Sequence, residues 1–355
     1  TQMIHGNSPY SSISAFAGNP LLISLEQMMA DGFINGEDLG EIPEFDPDRV
    51  DYAAVEKYKR KVLGIAAKKF RSCALMRPEY DQFISGNAFW LDDYARFLAL
   101  KTKFKGAVWS DWPAAYRDRD PGAVRIVDED FRELIESIRF QQYVFHSQWA
   151  ALRRLCNGFG IKIIGDIPIY VNYDSPDVWT NPERFRLDND KKPIAVAGVP
   201  PDYFSETGQL WGNPVYNWDN MREHGFSWWI DRLAHNLFLF DLVRIDHFRG
   251  LAAFWEVPAG EKTAKNGKWT PAPAVEFLDA LRSRFPGLPV IAEDLGLITP
   301  DVHEIMDRYG FPGMKVLLFA FGDDPRKNPY APHNHVANSV AYTGTHDNNT
   351  VRGWF

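Results

Sequence analysis

Along the first part of the chain, apolar residues recur at helical spacing. Ala53–Phe70 consists of helix-forming residues throughout, and Phe131–Leu155 repeats apolar positions every three or four residues, with Asp128 placed to act as its N-cap. Asn157-Gly158-Phe159-Gly160 then punctuates the end of that helix. Residues 1–20, with Gly6, Pro9, Gly18 and Pro20, read as loop, and the pattern from Leu21 to about Arg154 is mainly helical. Beyond that point the character changes. Short apolar runs, Ile161–Ile164, Phe238–Ile245, Leu288–Ala292, Met314–Phe321 and Ser339–Tyr342, alternate with helix-like segments and show little in/out alternation. Strands buried on both faces have this pattern, so it predicts a parallel sheet covered by helices, an α/β fold. Between Tyr170 and Trp229 periodicity fails in a stretch dense in Pro, Asn, Asp and aromatics. A loop of that length in a compact protein is expected to carry function.

Composition narrows the function. With 355 residues the chain suits one large domain with insertions or two domains. A net charge of −8 without a Lys/Arg-rich run argues against a nucleic-acid partner, because polyanion binding needs a basic surface. The longest apolar runs, such as Val316–Phe321, fall far short of the roughly 18 residues of a membrane-spanning helix, so no membrane partner is expected. Cys73 and Cys156 are far apart and lack metal-ligand spacing, which fits a reducing, cytoplasmic compartment. The chain opens at Thr1 rather than Met and without a signal-peptide pattern, so residues before it are expected. Aromatics make up 14%, including 12 Trp. Most are expected in the core, but those in loops suit the flat faces of sugar rings.

The apolar runs share one feature: most end in acidic or polar residues. These endings are Ile163-Ile164-Gly165-Asp166, Val243-Arg244-Ile245-Asp246, Val290-Ile291-Ala292-Glu293 and Tyr342-Thr343-Gly344-Thr345-His346-Asp347. Active-site groups gather at the C-terminal ends of parallel strands, and four such endings are hard to explain as helix caps. Arg244 and Asp246 are two apart and share one side of a strand. Arg244 is expected to lower the Asp246 pKa and keep it ionised, as a nucleophile requires. Glu293, after a wholly apolar run, is expected to have a raised pKa suited to general acid/base work. His346 and Asp347 offer a donor and an acceptor to sugar hydroxyls. Two carboxyls in different protonation states are what glycosidic cleavage needs, while a purely structural salt bridge is the alternative for Arg244 and Asp246. Asp294 faces away from Glu293 and reads as structural. His333 and His335 have no carboxylate companions at ligand spacing, so no metal is expected.

Three of these segments, Arg-Ile-Asp-His-Phe-Arg-Gly (244–250), Ala-Glu-Asp-Leu-Gly (292–296) and Thr-Gly-Thr-His-Asp-Asn (343–348), resemble the signatures of glycoside hydrolase family 77, the amylomaltases. Pro200–Pro214 and Ser8-Pro9-Tyr10 with Ser14–Pro20 resemble that family more narrowly, and the likeness runs from end to end. It implies a (β/α)8 TIM barrel, incomplete in residues 1–355, with a helical insertion over about 21–130 and a substrate-loop subdomain over about 170–235. Amylomaltases carry further strands before and after this stretch, so five of eight staves are expected here, and the stretch by itself is expected to be poorly soluble and inactive. The implied reaction is retaining transfer of α-1,4-glucan segments from a glucan donor to the 4-hydroxyl of a sugar acceptor, without a cofactor. A hydrolase of the same clan is the nearest alternative. By the same resemblance Asp246 would be the nucleophile, Glu293 the acid/base, and Asp347 with His346 the stabiliser of the transition state. Arg244 would position Asp246, Tyr10 would stack at the donor site, and Asp166 would line the pocket. Asp202, Tyr203, Trp211 and Asn213 would belong to a loop over the bound glucan.

Overall fold

The computed structural model describes residues 8, 10–72, 77–202, 205–296, 298–321, 324 and 326–355. The chain divides into two compact units, Thr1–Ile161 with Val171–Lys192, and Lys162–Tyr170 with Pro193–Phe355.

The first unit is helical. Its main helices are Tyr52–Arg71, Arg77–Lys103, Pro121–Asp130 and Arg132–Gly158. Asp51 caps the first of them by accepting the Ala54 N–H at 3.0 Å. Phe33, Phe70 and Phe140 meet in the core, with Phe70 stacked on Phe140 at 4.7 Å. The Ser14–Pro20 motif is pinned here. Buried Gln142 accepts the Gly18 N–H at 2.8 Å and donates to the Gly18 carbonyl at 3.0 Å. Gly18 has to be glycine, because a Cβ there would lie 2.0 Å from the Phe145 ring. One expectation is corrected. Asp128 caps nothing: it lies inside the helix Pro121–Asp130 and accepts two bonds from Arg96, at 2.8 and 2.9 Å. The long helix instead starts after Phe131 and ends where Gly160 turns at φ 74°, as the Gly punctuation predicts.

The described residues of the second unit contain nine strands: β1 Ile164–Ile167, β2 Ala195–Val199, β3 Gln209–Pro214, β4 Leu242–Ile245, β5 Ala253–Pro258, β6 Lys268–Pro271, β7 Val290–Ala292, β8 Gly313–Val316 and β9 Ser339–Tyr342. Strands β1, β4 and β7 form a parallel sheet in the order β1-β4-β7, and β8 pairs with β9, also parallel. Helices Ser227–Leu239, Ala274–Arg284 and Pro300–Tyr309 fall between the parallel strands. The fold is α/β. Val243, Arg244 and Ile245 of β4 and all of β7 are buried, which is why these strands show no polar alternation.

All five predicted runs overlap a parallel strand, the first at Ile164 alone, and their edges shift. Phe238 and Leu239 sit in or at the end of a helix, and Leu317–Ala320 is a 3-10 turn. The stretch read as loop between Tyr170 and Trp229 holds β2 and β3, which join β5 and β6 in an antiparallel sheet, β3-β2-β5-β6. Most tryptophans are core residues, among them Trp109, Trp179 and Trp229. The chain just after β1 is fixed by buried Arg232, which donates to the carbonyls of Pro168 at 2.6 Å and Ile169 at 3.2 Å while lying 4.7 Å over Trp229. Among the described residues, no helix is long and apolar enough to cross a membrane.

Candidate active site

The parallel register builds the site. Asp166 on β1 pairs directly with Arg244 on β4, and Arg244 with Ile291 on β7. The ladder continues past the strand ends: Asp246 donates its backbone N–H to Ile167 at 2.9 Å, and Glu293 donates its own to Ile245 at 3.1 Å. Backbone pairing thus fixes the two carboxyl-bearing Cα positions. Arg244, only 8% exposed in its side chain, donates to Asp166 at 2.6 Å and to Asp246 at 2.8 Å. Its Nε points to the Met314 sulfur at 3.2 Å. Glu293 has no guanidinium bonded to it among the described residues. It accepts two backbone N–H groups, from His247 and from Leu295, each at 2.8 Å.

The electrostatics differ from the expectation for one carboxyl and agree for the other. Asp246 is pushed up to about 6, chiefly by burial, with the charges of Asp166 and Asp347 adding to it; Arg244 opposes the rise. The predicted lowering fails because one guanidinium, shared with Asp166, is outweighed by desolvation and two nearby carboxylates. Glu293 is pushed up to about 7 by burial and by the Asp246 charge, against the pull of two backbone N–H groups and Arg244. That is the predicted direction.

The remaining candidates are scattered. His346 and Asp347 follow β9, half-exposed and exposed, with Nε2 and Oδ1 3.6 Å apart, and the Asp347 charge is felt at Asp246. Trp211 and Asn213 lie on β3, and Trp211 meets the His247 ring edge-to-face at 4.8 Å. Asp202 closes a turn, its carboxylate accepting the Ser205 N–H at 2.8 Å. Tyr203, with Phe204, lies outside the described residues. Tyr10 belongs to the first unit, half-buried on a turn, with its N–H donated to Ser8 Oγ at 3.3 Å. The Asp294 carboxylate takes the Met314 N–H at 2.6 Å. His335 holds the Tyr330 carbonyl at 2.9 Å. Two participants went unread in the sequence, His247 and Met314. A left-handed histidine and a methionine behind a guanidinium carry no pattern, and only the position of His247 beside Asp246 hinted at it.

The sequence profile of the 4-alpha-glucanotransferase family matches residues 1–355. The chain belongs to that family. It is 48% identical to the 4-alpha-glucanotransferase of Thermus thermophilus over 99% of its own length and 70% of the relative's. To that of Aquifex aeolicus it is 46% identical, covering all of this chain and 71% of the relative. Among solved structures it superposes on an amylomaltase from Streptococcus agalactiae, in complex with acarbose, with TM-score 0.96 and 41% identity, over 100% of this chain and 72% of that one. An amylomaltase from Corynebacterium glutamicum, 18% identical, shares the fold with TM-score 0.73 over 98% of this chain and 48% of that one. The family activity is 4-alpha-glucan transfer, and this chain is an enzyme of that class.

Proposed function

We propose that the glucanotransferase runs a retaining double displacement on α-1,4-glucans, with Asp246 as nucleophile and Glu293 as acid/base. The observation that carries this reading is the unequal support of the two carboxyls. Asp246 is bonded to a guanidinium that favours its ionised form, while buried Glu293, pushed up to about 7, holds its proton near neutrality. Glu293 protonates the departing glycosidic oxygen as Asp246 attacks the anomeric carbon. The same carboxyl, now ionised, takes the proton of the acceptor's 4-hydroxyl in the second step. Two inversions restore the α configuration, and no cofactor is needed. Asp347 with His346 steadies the sugar at the cleavage point and Arg244 orients Asp246. Asp166, Asp202, Tyr203, Trp211 and Asn213 bind glucan, and Tyr10 is assigned to the same task by the family resemblance alone.

In this reading β1, β4, β7, β8 and β9 are neighbouring staves of a (β/α)8 barrel, incomplete in this chain. The hydrogen bond from Ala292 to the Pro312 carbonyl, 3.0 Å, supports it by joining β7 to the edge of β8. Residues from about 21 to 130 form a helical insertion, and those from about 170 to 235 a subdomain over the substrate. The partners are a glucan donor and a sugar acceptor, with neither nucleic acid nor membrane. A free Cys156 thiol suits a cytoplasmic setting.

The test uses two donors. Glu293→Gln and Asp246→Asn should each lower transfer from maltotriose by several orders of magnitude. With α-maltosyl fluoride, whose leaving group needs no proton, formation of the glycosyl-enzyme should recover in Glu293→Gln and not in Asp246→Asn. Retention of more than about a tenth of the maltotriose activity, an effect under ~1.4 kcal/mol, would remove that residue from its role.

A further inference from the structure

Between Asp246 and Phe248 the chain takes one left-handed step. His247 has φ 50° and ψ 49°, a conformation that residues with a side chain adopt rarely and keep only where their surroundings hold it. The step turns the His247 N–H onto Glu293 Oε2 at 2.8 Å. The ring of the same residue is clamped. Trp211 on β3 meets it edge-to-face at 4.8 Å and 85°. On the Gly250 side there is no room for a side chain, since a Cβ there would lie 3.1 Å from His247 Cδ2 and 2.7 Å from Ile169 Cδ1. The ring Nε2 is buried and has no hydrogen-bond partner among the described residues.

We propose that His247 is a positioning residue that ties the strand bearing Trp211 to the Glu293 carboxyl: the clamped ring holds the left-handed turn, and the turn aims the amide. This rests on the reading of Glu293 as the acid/base. An N–H aimed at a carboxylate favours its ionised form, so a loosened turn leaves Glu293 holding its proton to higher pH. The ring itself adds no charge. Burial and neighbouring Arg249 push its pKa down to about 3, so it is neutral wherever the enzyme works. The charged and titratable groups around Glu293 are Asp246 and Arg244 from the end of β4 and Tyr330 from the segment before β9, with Asp294 beside it in sequence; Asp166 and Asp347 act on Asp246.

The pH profile of kcat/KM for maltotriose disproportionation tests the tie. His247→Gly suits the left-handed backbone and keeps the N–H but removes the ring. Its alkaline limb should move up by about half a pH unit or more, with kcat falling more than KM changes. His247→Phe, which restores a ring between Trp211 and Gly250, should return the limb to its wild-type position. Trp211→Leu should raise the limb although Trp211 is not bonded to Glu293. An unmoved limb in His247→Gly, or a shift in His247→Phe as large as in His247→Gly, overturns the proposal. If His247→Gly does not fold, His247→Asn, which also tolerates the turn and is too short to fill the clamp, is read the same way. Glu293→Gln separates the two claims. If it still transfers glucan, the acid/base reading falls; if it is inactive while His247→Gly keeps the wild-type limb, only the tie through His247 falls.

Discussion

Asp294 accepts the backbone N–H of Met314 at 2.6 Å, and Gly313 is the residue that makes room for it. A Cβ on Gly313 would lie 2.4 Å from the Asp294 carboxylate. Asp294→Ala should cost about 1–3 kcal/mol by leaving the Met314 N–H without its acceptor, and Gly313→Ala should cost a similar amount by displacing the same carboxylate. Because both act on one bond, the double variant should lose clearly less than the two single losses together. Urea denaturation of all four proteins checks this, and additive losses would show that the two residues act separately.

Arg244 serves two carboxylates at once through separate guanidinium nitrogens. Lysine has no fork and cannot hold both, so Arg244→Lys should restore little activity relative to Arg244→Gln. Removing the charge takes away the main influence that lowers the Asp246 pKa, so the acid limb of kcat/KM should rise in Arg244→Gln. The stability loss should be about 1–3 kcal/mol, below that of a fully buried pair because Asp166 is over a third exposed. An acid limb that stays in place would mean Arg244 does not govern the ionisation of Asp246.

The proposed double displacement needs Asp246 ionised and Glu293 protonated. With these groups near 6 and 7, kcat/KM should trace a narrow bell between those values, falling on either side. Stability should follow a related course with a definite sign. Glu293 has a folded pKa above its usual 4.5, so its contribution is fully present below about 4.5 and is lost as pH rises through about 7. The loss should be about 2–4 kcal/mol and should vanish in Glu293→Gln. Thermal melts at pH 5 and 8 measure it; an equal pH dependence in both proteins would place the ionisation elsewhere.

Trp211 is half-buried on β3 with its ring edge against His247. If it stacks on the incoming sugar and keeps water from the glycosyl-enzyme, Trp211→Ala should raise the ratio of glucose release to chain-length redistribution on maltotriose. An unchanged ratio at a lower overall rate would restrict Trp211 to the donor.

The strand ends were legible because a carboxyl closing an apolar run is costly to bury without a purpose, and Asp246 and Glu293 both stand at such ends. The pairing of Asp166 with Arg244 was not legible, since the two are 78 residues apart and only parallel register aligns them. The same gap explains the misread ionisation of Asp246. The sequence displays its neighbour Arg244 but neither the competing Asp166 nor the burial. Asp128 misled in the opposite way: its spacing suited a cap, but an arginine on another helix claimed it. Strands β2 and β3 stayed hidden because their glycines and prolines, such as Gly198, Gly212 and Pro214, read as punctuation.

The parallel register also sets an order of events during synthesis. His247 and Glu293 are 46 residues apart, so the ribosome delivers the turn that aims the amide well before the carboxyl it holds. Until β7 emerges, the face of β4 that will pair with it has open N–H and C=O groups beside buried-type side chains, the kind of edge that recruits other chains. Long-range parallel pairing is slow, which prolongs that exposure. A pause in translation, or a break in the message, between Asp246 and Glu293 therefore leaves a nascent chain more prone to aggregate than one arrested before β4.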